Sequence, residues 1–159
     1  MTRIGTRLGL SLGFALVALA PFGATAEDAH SIVQANDIKW AAAPPALPKG
    51  AQIAVLSGDP GKEGPFAVRL KFPAGYKVPP HMHPADENVT VISGAANFGT
   101  GDKLDQKKSD ALKPGGFMHM PKGMHHFGWF SQETVVQING SGPFTVTYIN
   151  PADDPRKTN

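Results

Sequence analysis

Four side chains that can bind a single divalent metal ion lie in two short segments of this 159-residue chain. His81, His83 and Glu87 follow one another closely, and His126 comes after a second segment rich in glycine and proline. Imidazole nitrogens and a carboxylate oxygen are suitable ligands for Fe, Mn, Ni, Cu or Zn. Binding requires neutral imidazoles and an ionised carboxylate, so we expect the metal to be lost below about pH 6.

The spacing predicts that strands and tight turns bring these side chains together. Side chains alternate along a strand, so His81 and His83 should project from the same face. A turn after His83 would return Glu87 to that interior, and a second turn at Pro121 would do the same for His126. Such a site leaves one or two positions on the metal for water or substrate.

The pattern resembles both sequence motifs of the cupin superfamily. Its members here are Gly75, His81, His83, Glu87, Gly94, Gly115, Pro121, Gly123 and His126. The resemblance implies an all-β, single-domain protein with a double-stranded β-helix, or jelly-roll, barrel. It also implies that His81, His83, Glu87 and His126 bind one divalent transition metal.

The second motif departs from the usual pattern at two positions. An Asn usually follows the motif histidine by four residues, and Phe130 stands there instead. Gly116 replaces the usual Asp. The Asn supports the site without binding metal, so the four ligands are retained. Phe130 should make the pocket more apolar, which favours an aromatic or otherwise poorly charged substrate.

Four residues near the motifs are candidates for the pocket or for support of the ligands: Tyr76, His119, His125 and Phe130. On a strand, His125 should face away from His126, whereas either face is open to His119. Tyr76, Trp129 and Tyr148 are candidates for the pocket mouth, although core packing is the simpler interpretation.

All methionines beyond residue 26 lie close to a histidine in the sequence: Met82, Met118, Met120 and Met124. Thioethers are soft ligands, so a second site for copper that also uses His119 and His125 is one alternative. Packing as flexible filler is the simpler interpretation, because Met82 should point away from His81 and His83.

Short β-rich segments recur from residue 51 onward. They cover residues 52–56, 66–72, 88–93, 95–98, 117–120, 126–130, 134–139 and 144–150. Turn residues separate them, which predicts an antiparallel sandwich or barrel over residues 51–150. We expect residues 99–113 to be a long solvated loop and residues 151–159 to be a C-terminal tail.

Residues 1–26 have the pattern of a secretory signal. Arg3 and Arg7 precede an apolar run over residues 8–20, and Ala24-Thr25-Ala26 is a small-x-small cleavage site. The run is shorter than the roughly 20 residues of a membrane-spanning helix. The pattern predicts an exported, periplasmic or secreted protein with no stable membrane span after cleavage.

Residues 27–50 are predicted to form a Pro-rich N-terminal arm. Pro44, Pro45 and Pro48 exclude a helix there and favour an extended path. We expect Trp40 to anchor the arm on the barrel core. Because cupins commonly form dimers through N-terminal strands, the resemblance also implies a homodimer with this arm as the candidate contact.

Charge and composition restrict the partners. The chain has 15 Lys and Arg against 13 Asp and Glu, and removing Arg3 and Arg7 leaves 13 of each. A neutral chain without a basic cluster is not expected to bind nucleic acid. There is no cysteine, so a metal site must use nitrogen and oxygen. The expected partner is a small-molecule ligand or substrate.

Three classes of function remain open. A metal-dependent enzyme would bind a small oxygen-bearing substrate, and the resemblance implies dioxygenase, decarboxylase, isomerase or lyase chemistry. No convincing general acid or base accompanies the ligands, so the metal would carry most of the chemistry. A non-catalytic periplasmic module that binds or senses a small molecule is the second class. A copper-handling protein is the third.

Overall fold

Alternating apolar side chains define the longest strands. Along residues Gly64–Phe72, the side chains of Phe66, Val68, Leu70 and Phe72 are buried, whereas those between them are half-buried. In the computed structural model, which describes residues 30–157, such strands form two antiparallel sheets. The described residues from Ser31 onward belong to one compact unit. The predicted secretory signal lies outside the described residues.

Eleven strands occur within residues 30–157. They are β1 (Ala41–Ala42), β2 (Gln52–Ser57), β3 (Gly64–Phe72), β4 (Lys77–Met82), β5 (Glu87–Ser93), β6 (Ala96–Thr100), β7 (Asp110–Leu112), β8 (Phe117–Met120), β9 (His126–Trp129), β10 (Thr134–Gly142) and β11 (Thr147–Tyr148). Short 3₁₀ turns cover Ala35–Asp37, Gln106–Lys108 and Pro151–Asp153. The helices of this part of the chain are no longer than these turns, and none is long and apolar enough to cross a membrane.

The two sheets have different strand orders. One sheet has the order β1-β2-β3-β10-β5-β8, and the other has the order β11-β4-β9-β6-β7. Strands that are distant in sequence therefore become neighbours, as β3 and β10 do over their whole length. This arrangement confirms the predicted all-β, double-stranded jelly-roll fold.

Aromatic and branched side chains from both sheets fill the interior. Phe130 is 1% exposed, and its ring stacks on that of Phe72 with centroids 4.1 Å apart. Val89, Val91 and Val136 are each 1% exposed. Burial of these apolar side chains is the main stabilising contribution to the barrel, at roughly 1.5–3 kcal/mol for each large side chain.

Two segments differ from the sequence prediction. The expected loop at residues 99–113 contains strand β7, which pairs with β6, and Trp129 donates its indole N–H to Ser109 Oγ at 2.9 Å. Strand β7 has three residues, which are too few to show the alternation of apolar and polar side chains that predicts a strand. The expected strand at residues 144–150 is reduced to Thr147–Tyr148.

The Pro-rich arm folds back on its own chain. β1 pairs with β2, and the hydroxyls of Tyr76 and Tyr148 donate hydrogen bonds to the carbonyls of Pro48 and Ala46, respectively. Trp40, which we expected to anchor the arm on the core, is not one of the described core residues. It is half-buried, and the Lys71 ammonium lies 4.4 Å from its ring centroid.

Part of the predicted C-terminal tail is buried and hydrogen-bonded. Asp154 is only 7% exposed, and Arg156 donates hydrogen bonds to both of its carboxylate oxygens. A bidentate arginine offsets part of the cost of burying an aspartate, and a scan for apolar patterns does not detect such a pair. Residues 158 and 159 lie outside the described part of the chain.

Candidate metal centre

His81 and His126 face each other across two neighbouring strands. They are paired in the register of β4 and β9, and their ring centroids are 4.2 Å apart. His83 lies just beyond the last residue of β4, and Glu87 is the first residue of β5. All four side chains are buried, with 3–6% of each residue exposed. The structure thus brings together the four predicted ligands.

The turn before Glu87 and the turn before His126 are bonded to each other. Gly123 donates its backbone N–H to the His83 carbonyl at 2.9 Å. Lys122 donates its backbone N–H to Asp86 Oδ1 at 2.8 Å. Gly123 has a φ of 74°, a left-handed conformation that glycine adopts without steric strain. These two hydrogen bonds fix the turn that follows His83 relative to the turn that precedes His126.

Each histidine ring is fixed by a backbone carbonyl. The Nδ1 atoms of His81, His83 and His126 lie 2.8, 2.8 and 3.0 Å from the carbonyl oxygens of Pro79, Thr145 and Met124, respectively. A carbonyl only accepts hydrogen bonds, so Nδ1 is the protonated nitrogen in each ring. In the neutral rings, Nε2 then carries a free lone pair, as a metal ligand must.

The three rings converge within the interior. One ring nitrogen from each of His81, His83 and His126 lies within 4.8 Å of the others, and within residues 30–157 no other group of three or more His, Asp or Glu side chains does so. His83 Nε2 is buried without a hydrogen-bond partner. A buried, unpaired nitrogen is costly unless something binds it. These donors therefore fit a divalent transition metal, whose identity the ligand types do not select.

Glu87 lies against two of the histidines. Its Oε2 atom is 3.1 Å from His126 Nε2 and 3.7 Å from His83 Nε2. A carboxylate in this position adds negative charge and an oxygen donor to the three nitrogens. Its role as a fourth ligand stays a prediction.

Burial and mutual charge determine the protonation of the cluster. Burial, together with the neighbouring histidines, lowers the pKa of His81 from 6.5 to about 3, and burial also lowers the pKa of His83. Burial opposes ionisation of Glu87, but the hydrogen bond with His126 and the nearby imidazoles outweigh it and lower its pKa. Burial likewise opposes a charged His126, yet Glu87 raises its pKa. His81 and His83 are therefore neutral and ready to bind metal at pH 7.

An apolar cavity of about 240 Å³ adjoins the cluster. The four predicted ligands line it together with five phenylalanines, Phe66, Phe72, Phe98, Phe130 and Phe144. Pro44, Ala46 and Leu47 of the arm form another part of the wall. Besides the predicted ligands, Arg156 is the one ionisable residue among those described that line the cavity. The space suits a small molecule with a largely apolar surface.

The other predicted pocket residues have different locations. Phe130 lines the cavity as expected. Tyr76 is buried beside it but is not part of the wall, because its hydroxyl binds the arm. His119 does not reach the cavity, since it is exposed on β8 and its Nδ1 lies 3.0 Å from Asn88 Oδ1. His125 also faces outward and pairs with Asp102 at 2.6 Å.

Two other aromatic residues and the methionines lie outside the cavity wall. Trp129 is half-buried and bonded to Ser109, and Tyr148 is bonded to the arm. Met118 and Met120 are buried in the core, whereas Met82 is half-buried and Met124 is 39% exposed. Met118 and Met120 thus pack in the core, as the simpler interpretation of the methionines predicts.

Several supporting residues were not found from the sequence. Thr145 acts through its carbonyl, and any residue type could supply that group. Phe144 stacks on His83 with ring centroids 4.1 Å apart and an interplanar angle of 17°. Asp86 lies in the turn between His83 and Glu87. That position is the one feature of the sequence that could have indicated its supporting role.

Comparison with known families and structures agrees with this geometry. The sequence profile of a family described as a domain of unknown function, DUF4437, matches residues 31–155. An RmlC-like cupin from Shewanella frigidimarina NCIMB 400 has a TM-score of 0.55 at 13% identity, covering 71% of this chain and 91% of that chain. This chain belongs to the DUF4437 family, and its fold is that of the cupins.

Other solved structures are also similar to this chain. The polyketide cyclase RemF from Streptomyces resistomycificus has a TM-score of 0.64 at 20% identity, covering 80% of this chain and 90% of that chain. A candidate acetylacetone dioxygenase from Methylibium petroleiphilum PM1 has a TM-score of 0.61 at 18% identity, covering 82% and 88%, respectively. At these identities the likeness establishes the fold alone. No curated protein is significantly similar in sequence.

Proposed function

We propose that this cupin is a metal-dependent enzyme that acts on a small, poorly charged molecule. The observation that carries the proposal is the orientation of His81, His83 and His126, whose Nδ1 atoms are all bound to carbonyls beside an apolar cavity. We propose Glu87 as the fourth ligand and Fe, Mn, Ni, Cu or Zn as the metal. Such an ion supplies Lewis acidity, or O₂ activation if it is redox-active.

The residues around the cluster would bind and orient the substrate. Phe66, Phe130 and Phe144 would pack against its apolar part and exclude water. Glu87 is the one carboxylate among the described residues that line the cavity, and its Oε2 atom lies 3.1 Å from His126 Nε2. It is therefore not free to accept a proton from a substrate. The protein thus contributes mainly binding and orientation, which favours dioxygenase, decarboxylase, isomerase or lyase chemistry centred on the metal.

The lining favours one kind of substrate over another. A dianion such as oxalate would lose its hydration in a wall made mostly of apolar side chains, where only the proposed metal ion and the ion-paired Arg156 would compensate. A neutral oxygen donor with an apolar body would not incur that cost. We therefore propose β-diketones such as acetylacetone, or small aromatic ketones and phenols, as the substrate class.

A non-catalytic binding or sensing module is the second candidate. It is favoured by the lack of a further acid or base among the described residues that line the cavity. We also propose that the protein is exported to the periplasm or secreted, on the basis of residues 1–26, and that it forms a homodimer.

The proposal is tested by ligand binding and turnover measured together. Untagged protein loaded with Fe²⁺, Mn²⁺ or Ni²⁺ would be incubated in air with acetylacetone, a small phenol or oxalate. Oxygen uptake and products would be followed, with the His83→Ala variant as the control. We expect conversion of a neutral compound by the metal-loaded wild type alone. Tight binding without conversion would support the sensing module, and equal conversion by His83→Ala would contradict a role for the cluster.

A further inference from the structure

The orientation of His83 depends on residues outside its own strand. β4 ends at Met82, so the ladder of that sheet does not fix His83. Its ring is instead held by the segment between β10 and β11. Phe144 stacks on one face, and the Thr145 carbonyl accepts the Nδ1–H at 2.8 Å. A shift of this segment would therefore move the imidazole.

That segment is in turn held by the C-terminal residues. Arg156 donates from Nη2 to the Val146 carbonyl at 3.1 Å, one peptide unit beyond the carbonyl that binds His83. Phe144 is fixed at the other end, where its N–H donates to the Pro60 carbonyl at 2.7 Å. The segment is thus clamped on both sides of Thr145.

Asp154 fixes the guanidinium itself. Arg156 Nε lies 2.7 Å from Asp154 Oδ1, and Nη2 lies 2.9 Å from Oδ2. The backbone N–H of Arg156 also donates to Oδ1 at 3.1 Å. This fork-to-carboxylate geometry restricts both side chains far more than a single contact would.

We propose that the Asp154–Arg156 ion pair positions His83 for metal binding through residues 144–146. The inference rests on the proposed metal site. Arg156 also lines the cavity, so binding of a substrate anion is the competing interpretation. The geometry favours positioning, because Nε and Nη2 are already bound to Asp154 and Val146 and the charge is paired.

The test is titration of metal-free, untagged protein with Co²⁺, which reports affinity and ligand geometry through its visible absorption. Arg156→Gln should bind Co²⁺ about tenfold more weakly than wild type and should show an altered spectrum. A tenfold loss of metal affinity is the lower end of the range seen when a residue that supports a ligand is removed. Arg156→Lys should recover only part of the loss, since it lacks the fork. The matched control is Lys157→Gln, which changes the adjacent exposed cation and should behave as wild type.

A double variant locates the effect. Asp154→Asn combined with Arg156→Gln should weaken Co²⁺ binding no more than Arg156→Gln alone, because both changes break the same link. Thermal unfolding of each metal-free variant would be recorded in parallel. A lower unfolding temperature with an unchanged Co²⁺ affinity and spectrum would show a merely structural role and overturn the inference.

The remaining outcomes separate this inference from the proposed function. Wild-type protein that takes up Co²⁺, beside an Arg156→Gln variant with the same affinity and spectrum, would overturn the positioning role alone. Weaker binding of acetate by that variant, with Co²⁺ binding intact, would assign Arg156 to anion binding instead. A wild type that takes up no Co²⁺ would overturn the metal site and the inference together.

Discussion

Lys122 donates its backbone N–H to Asp86 Oδ1 at 2.8 Å, and this bond joins the turn that precedes Glu87 to the turn that precedes His126. Each turn joins the two sheets, since the first leads from β4 to β5 and the second from β8 to β9. One exposed aspartate thereby helps to maintain the distance between ligands that come from separate parts of the chain.

Replacing Asp86 by Ala should weaken metal binding while the fold is kept. Loss of one exposed hydrogen bond should lower the free energy of unfolding by about 1 kcal/mol, and looser ligand spacing should reduce metal affinity several-fold. Calorimetric titration of the metal-free variant with Zn²⁺ measures the second effect. Asp110→Ala, which changes an exposed aspartate on β7, is the control. Equal affinities in the two variants would contradict the role of Asp86.

Replacing Glu87 by Gln should have a larger effect at the same site. The variant keeps the volume of the side chain but removes the charge that lies 3.1 Å from His126 Nε2. We expect at least a tenfold loss of metal affinity, because a carboxylate ligand contributes both charge and a donor atom. Glu133→Gln, in an exposed turn, provides the matched control. A variant that binds as tightly as wild type would exclude Glu87 as a ligand.

The metal-free protein should lose stability as the pH falls below about 6.5. The pKa of His81 is 6.5 in the unfolded chain, and burial lowers it to about 3 in the folded chain. Between pH 6.5 and pH 3, the unfolded chain therefore binds more protons than the folded chain. The contribution of His81 is therefore complete above pH 6.5 and is lost toward pH 3. His83 acts in the same direction, and Glu87, whose pKa is also lowered, adds a loss below its unfolded value of 4.5.

His126 acts in the opposite sense, because its raised pKa gives a contribution that is present below pH 6.5 and is lost as the pH rises. The two neutral histidines outweigh it, so we expect a net slope of up to about 1.4 kcal/mol per pH unit for each proton taken up. Urea unfolding of metal-free protein between pH 7.5 and 4 measures this slope. His81→Asn should flatten it, and stability that rises on acidification would contradict the account.

The Tyr148 hydroxyl should be needed to hold the arm over the cavity. Burial, with the nearby charge of Asp154, raises the pKa of Tyr148 to about 12, so the hydroxyl keeps its proton and donates to the Ala46 carbonyl at 2.8 Å. Tyr148→Phe should reduce stability by about 1 kcal/mol. Amide hydrogen exchange around Leu47 should become faster in this variant. Unchanged exchange would show that β1 and the Tyr76 hydroxyl hold the arm without Tyr148.

The ligand positions were predictable because they depend on short-range spacing. His81 and His83 are separated by one residue, and glycines and prolines mark the turns that return Glu87 and His126 to the interior. Alternation of apolar residues likewise predicted β3 and β10. These features depend only on residues that are close together in the sequence, so they can be recognised without the structure.

The supports of the site were less predictable, because they depend on contacts between distant residues. The Thr145 carbonyl reaches His83 across 62 positions, and Tyr148 reaches Ala46 across 102. A backbone carbonyl has no sequence signature. The outward direction of His119 follows from the register of β8, in which Met118 and Met120 take the core face. That register is set by pairing with β5.

Metal analysis of untagged wild-type protein, purified without added metal, tests the central claim most directly. The same preparation of His83→Ala, with its folding checked by circular dichroism, is the comparison. Our account predicts about one equivalent of a divalent transition metal per wild-type chain. It predicts little or none in the folded variant. Wild-type protein that contains no metal and takes up none from excess Fe²⁺, Mn²⁺ or Zn²⁺ would contradict it.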